Sequence, residues 1–134
     1  MFFSQPYPVK LTEAQREELK KKVIEVLKTV YDPEIAVNVY DLGLIYGINV
    51  SEEGDIHIKM TLTAPGCPLA GMIVAIAEAT VKEKVPEAKN VEVELVWDPP
   101  WTPERVTPEG RKMLIEIFNY DVVAEWMKRK ESQT

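Results

Sequence analysis

Cys67 is the only cysteine in 134 residues, and it stands in the run Ala64-Pro65-Gly66-Cys67-Pro68. Pro68 suits the first position of a helix, where its missing N–H would find no partner in any case. That places Cys67 at the helix cap, where free backbone N–H groups and the positive end of the helix dipole converge. Both favour a thiolate over a thiol, and cysteines in such places can titrate well below the free value of about 8.5. Gly66 leaves room for close approach of a partner. The bland alternative is a small buried hydrophobe. The helix-start position favours a reactive or metal-binding role over it.

A single cysteine excludes an intramolecular disulfide, a Cys-x-x-Cys redox pair and a four-thiolate metal site within one chain. A thiol enzyme of the papain kind needs a histidine base. The one histidine, His57, falls on the polar face of a predicted strand and reads as an exposed strand residue. No catalytic residue is therefore assigned. Asp32, Glu34 and Asp41 bring three carboxylates to one predicted loop. Such a loop could bind a hard metal or position a partner, but aspartates commonly cap turns, and that reading is the stronger for each. Trp97 and Trp101 stand among Pro99, Pro100 and Pro103 in a stiff, extended arm. It either folds on a sheet or docks a partner, since a rigid segment loses little entropy on binding.

These residues need elements to hold them. A helix is predicted from about Thr12 to Val30, with Thr12 and Gln15 at capping-box spacing. Leu19, Val23, Val26, Leu27 and Val30 form its apolar stripe, and Asp32-Pro33 should end it. Leu44–Val50 reads as a strand, with Gly43 and Gly47 marking turns or a bulge. Residues 51–55 make a turn. Ile56, Ile58, Met60 and Leu62 alternate with polar residues in a second strand, antiparallel to the first.

A second helix should run from about Pro68 to Lys84, with Leu69, Met72, Ile73, Ile76, Thr80 and Val81 on one face. Val91, Val93, Leu95 and Trp97 alternate with glutamates in a third strand. The helical crossover suits a parallel neighbour, so the sheet should be mixed. Thr107 caps a third helix with Pro108 at its first position, and Asp121 caps a further short one reaching Lys130. The order α-β-β-α-β-α predicts an α/β (two-layer α+β) fold, a small three-stranded sheet packed by helices. The expected division is an N-terminal extension over 1–11, one domain over 12–118 and a C-terminal helical extension over 119–134.

Composition narrows the classes. The net charge of −6 argues against a nucleic-acid partner, which needs a clustered basic surface. The Lys20-Lys21-Lys22 run reads as a solvated helix face. No run of 18 apolar residues is present, so no membrane span is expected. The first ten residues lack a signal-peptide pattern, which makes a cytoplasmic location the expectation.

Four motifs follow one another in the chain: Asp32-Pro33-Glu34, then Tyr40-Asp41-Leu42-Gly43-Leu44-Ile45-Tyr46, then Met60-Thr61-Leu62-Thr63-Ala64-Pro65-Gly66-Cys67-Pro68, then the arm Trp97 to Arg105. Together they resemble the metal–sulfur cluster biosynthesis family, the group of SufT and PaaD-like proteins. The resemblance spans roughly residues 15–118 and implies an iron–sulfur assembly domain with a fold related to the carboxy-terminal domains of NifU-like scaffolds. It implies a protein without turnover chemistry that helps deliver or mature clusters on client proteins alongside other assembly factors.

On this resemblance Cys67 is the functional thiol and metal or cluster contact, framed by Thr63, Pro65, Gly66 and Pro68. Asp32, Glu34 and Asp41 match the acidic loop, and Asp98, Trp101, Glu104 and Arg105 lie in the docking arm. A transient iron–sulfur cluster or iron would be held through Cys67. One thiolate cannot hold a cluster alone, so a homodimer is expected to bring two. The second reading is a PaaD-like accessory subunit of a multicomponent oxygenase. A KH-like RNA binder has the element order but lacks support, since no Gly-x-x-Gly loop joins two helices.

Overall fold

The capping box at Thr12 and Gln15 forms as the sequence predicts. Gln15 N–H donates to Thr12 Oγ1 at 3.1 Å, and Thr12 N–H donates to Gln15 Oε1 at 2.9 Å. It starts α1 (Glu13–Leu27), whose buried stripe is Leu19, Val23, Val26 and Leu27. In the computed structural model, which describes residues 10–32, 35, 37–63 and 70–132, the helix ends earlier than the expected Val30. Thr29 and Val30 close tight turns onto the carbonyls of Val26 and Leu27, and the Thr29 hydroxyl also donates to Val26 O at 2.6 Å. Those local bonds compete with the next α-turn before Pro33 is reached.

The elements then run β1 (Ile45–Val50), β2 (Asp55–Met60), α2 (Ala70–Lys84), β3 (Asn90–Leu95), a 3-10 turn (Pro103–Arg105), α3 (Pro108–Phe118) and α4 (Val122–Ser132). The sheet order is β1-β2-β3, with β1 antiparallel and β3 parallel to β2, so it is mixed. The register slips between Ile45 and Gly47, a bulge that sets Tyr46 outside the one-to-one pairing. Each strand is one residue shorter than the alternation suggested; β1 starts one residue later, and β2 and β3 start one residue earlier and end two earlier. Leu44, Leu62 and Trp97 fall outside them, and Trp97 is exposed rather than part of the buried row.

Ile56, Ile58 and Met60 of β2 and Val91 and Val93 of β3 point into one core with α1 and α2. The opposite sheet face carries Asn49, His57, Lys59, Glu92 and Glu94, which suits an antiparallel hairpin wetted on one side. β3 is an edge strand, and Glu78 of α2 covers it, accepting from Val93 N–H at 3.1 Å.

The buried row of α2 is Ile73, Ala77 and Val81, at i, i+4 and i+8. Met72 and Ile76, expected on that face, are 47% and 46% exposed. Helix α2 is rolled toward its small residue, Ala77, which lets the helix backbone come close to the sheet. Leu69, the first member of the expected row, lies outside the described residues. No helix among the described residues is long and apolar enough to cross a membrane.

Candidate functional site

The strand register carries three distant segments to one end of the sheet. Ile45, Met60 and Leu95 are matched across β1, β2 and β3. The acidic loop enters β1 at this end, the helix-start loop leaves β2 here, and the arm leaves β3 here. Two bonds continue the ladder past the strands. Thr61 N–H donates to Leu44 C=O at 2.8 Å, and Val96 N–H donates to Met60 C=O at 2.8 Å. The carboxyl ends of the parallel pair β2 and β3 therefore face the same way, where sheets with helical crossovers bind ligands.

The acidic loop is held largely by its own polar groups. Asp41 is 4% exposed. Its carboxylate accepts from Asn38 Nδ2 at 2.8 Å and from the Thr107 hydroxyl at 2.7 Å. Asn38 answers by accepting from Asp41 N–H at 2.8 Å. Asp32, also buried, accepts from Ile35 N–H at 3.3 Å, and its own N–H donates to Val37 O at 3.1 Å. Both aspartates thus bind the turns of this loop, and Asp41 also fastens the loop to the cap of α3. Glu34 lies outside the described residues.

The arm is folded back on the start of β1. Trp101 Nε1–H donates to Leu42 O at 2.6 Å, and the Tyr46 hydroxyl donates to Pro99 O at 2.8 Å. The Arg105 guanidinium lies over the Tyr46 ring, 4.4 Å from its centre. Gly43 has φ +78°, and a Cβ there would coincide with the Arg105 carbonyl, so only glycine permits the approach. From α4, Trp126 meets Trp101 edge-on, with ring centres 6.1 Å apart. Trp97, Asp98 and Glu104 remain exposed. The Asp98–Pro99 peptide is cis.

Thr63 is half-buried three residues beyond β2. Pro65, Gly66, Cys67 and Pro68 lie outside the described residues. Thr61, at the root of this loop, is fully buried, and its hydroxyl has no hydrogen-bond partner among the described residues. Among those residues no three of His, Cys, Asp and Glu are placed to hold a metal ion. His57 sits on the outer sheet face with Nε2 at 2.9 Å from Glu94 Oε1 and 4.0 Å from Glu92 Oε1.

Asn38, Gly110 and Trp126 also hold this end of the sheet without having been expected there from the sequence, and Tyr46, which closes one of the family motifs, had no role assigned to it. Gly110 did carry a signal, since a glycine inside a helix needs a packing reason. Here a Cβ would fall 2.5 Å from Asp41 O, so the glycine lets α3 touch the acidic loop.

Sequence similarity places this small mixed sheet among iron–sulfur assembly domains. The pattern described as "Iron-sulfur cluster assembly protein" matches residues 20–95, and the chain belongs to that family. It is 43% identical over 91 residues to the Fe-S protein maturation auxiliary factor YitW of Bacillus subtilis, covering 68% of this chain and 88% of that one. It is 41% identical over 78 residues to the Fe-S protein maturation auxiliary factor SufT of Staphylococcus aureus, covering 58% and 88%. The crystal structure of a domain of unknown function, DUF59, from Bacillus anthracis superposes with a TM-score of 0.73 at 36% identity. That match covers 77% of this chain and 97% of the other.

Proposed function

We propose that this chain is an iron–sulfur maturation auxiliary factor that helps pass clusters to client proteins and has no turnover chemistry of its own. Its similarity to relatives named as maturation auxiliary factors supports this reading over an accessory-subunit role in an oxygenase. The observation that carries it is the convergence of the acidic loop, the helix-start loop and the arm at one end of the sheet. Cys67 serves as the thiolate contact to the cargo cluster or iron. Asp98, Glu104 and the neighbouring arm dock the client or another assembly factor. One thiolate per chain ligates a cluster incompletely, which suits a factor that releases it. A second copy of the chain supplies a second thiolate while the cargo is held.

The alkylation rate of Cys67 against pH, on metal-free protein without oxygen, tests the thiol's role. Fast labelling with an apparent pKa clearly below about 8.5 is expected of a helix-activated thiolate. Labelling that appears only when the protein unfolds contradicts it.

A further inference from the structure

We infer that Trp126 of α4 is a positioning residue that straps the arm to the end of the sheet. The family match stops at residue 95, before both the arm and α4. Helix α4 is itself firmly placed. Asp121 caps it, accepting from Ala124 N–H at 3.1 Å. Arg111 of α3 grips both oxygens of Asp121, through Nε at 3.1 and 3.0 Å and through Nη2 at 2.5 Å. Val122 and Val123 are 4% and 2% exposed, and Val123 joins the main core.

Trp126 and Met127 follow four residues after Val122 and Val123, so all four share one helix face, packed toward the arm and the core. The arm lies between two walls. On one side are Leu42, Gly43 and Tyr46 at the start of β1. On the other is α4, packed on the 3-10 turn, with the Trp126 and Trp101 rings in T-shaped contact. Trp101 is half-buried: its indole N–H is bonded to Leu42, its ring packs against the core, and Trp126 adds the aromatic contact from α4. The aromatic pair fixes ring orientation as well as position. The consequence for client docking rests on the function proposed above; the strap itself does not.

Hydrogen exchange read by NMR on Trp126→Ala and Trp126→Phe in the full chain tests this. The reporters are the Trp101 indole N–H and the amides of Arg105 and Val106, which close the 3-10 turn onto Thr102 and Pro103. In Trp126→Ala these should exchange at least about tenfold faster while Ile56 and Ile58 of β2 keep their protection. Trp126→Phe should restore them. Unchanged reporters, or an equal rise through the sheet, overturn the strap, as does a Trp126→Ala chain that does not fold. Maturation of a client by Trp126→Ala is the second readout. A loosened arm with undiminished maturation leaves the strap standing and removes the docking role from the arm.

Discussion

Thr107 binds Asp41 twice: its hydroxyl donates to the Asp41 carboxylate at 2.7 Å, and its amide donates to the Asp41 carbonyl at 2.9 Å. The same hydroxyl accepts from Gly110 N–H at 3.0 Å, as the cap of α3. One side chain thus starts a helix and ties it to a loop 66 residues earlier in the chain.

Asp41→Ala leaves the Thr107 hydroxyl and the Asn38 amide without their acceptor in a buried place. The expected loss is about 2–4 kcal/mol of unfolding free energy. Thr107→Val should cost less, and the double variant should fall short of the sum by about 1 kcal/mol or more. Urea denaturation of the four proteins measures this. Simple additivity would mean that the two residues act independently.

Gly110→Ala inverts a common rule. In an exposed helix the change gains about 1 kcal/mol. Here the new Cβ meets Asp41 O at 2.5 Å and pushes α3 off the loop. A net loss of about 2 kcal/mol is expected in the same denaturation experiment.

Thr61→Val runs the other way. The buried hydroxyl has no partner among the described residues, and an apolar group of the same shape removes its desolvation cost. A gain of about 1 kcal/mol is expected. A loss of that size would show that the hydroxyl is paired, by water for example.

The Arg111–Asp121 pair gives a pH signature. Hydrogen bonding from Arg111, helped by the backbone amide of Ala124, holds the Asp121 carboxyl below its ordinary value. The unfolded chain therefore binds more protons in the window below the ordinary carboxylate value of about 3.9. The contribution is complete above that value and is lost as pH falls through the lower, folded one. Asp121→Asn keeps the cap and removes the charge. Its melting temperature should lie below wild type at neutral pH, and the gap should close in acid. Both side chains are partly exposed, so salt near 1 M should also narrow the gap. A gap that does not change with pH would contradict a charge-dependent contribution from the pair.

The elements were legible in the sequence because each carries a local signal. Thr12 with Gln15, Thr107 with Pro108, and the alternation through Ile56, Ile58 and Met60 need nothing from elsewhere in the chain. The roll of α2 was not legible, because Ala77 is too small to register as a core residue while Met72 and Ile76 are large enough to mislead. The motifs of the candidate site were legible as residue types at set spacings. Their meeting at one sheet end needed the register, and the links Asp41–Thr107, Tyr46–Pro99 and Trp101–Trp126 join residues that share no local pattern.

The most direct test of the maturation role is complementation of a strain depleted of its own maturation factor, read as the activity of an iron–sulfur client enzyme. The wild-type chain should restore that activity, and Cys67→Ser at equal abundance should leave it at the depleted level. Full restoration by Cys67→Ser would contradict the thiol's part in the account, and failure of the wild-type chain would contradict the function itself.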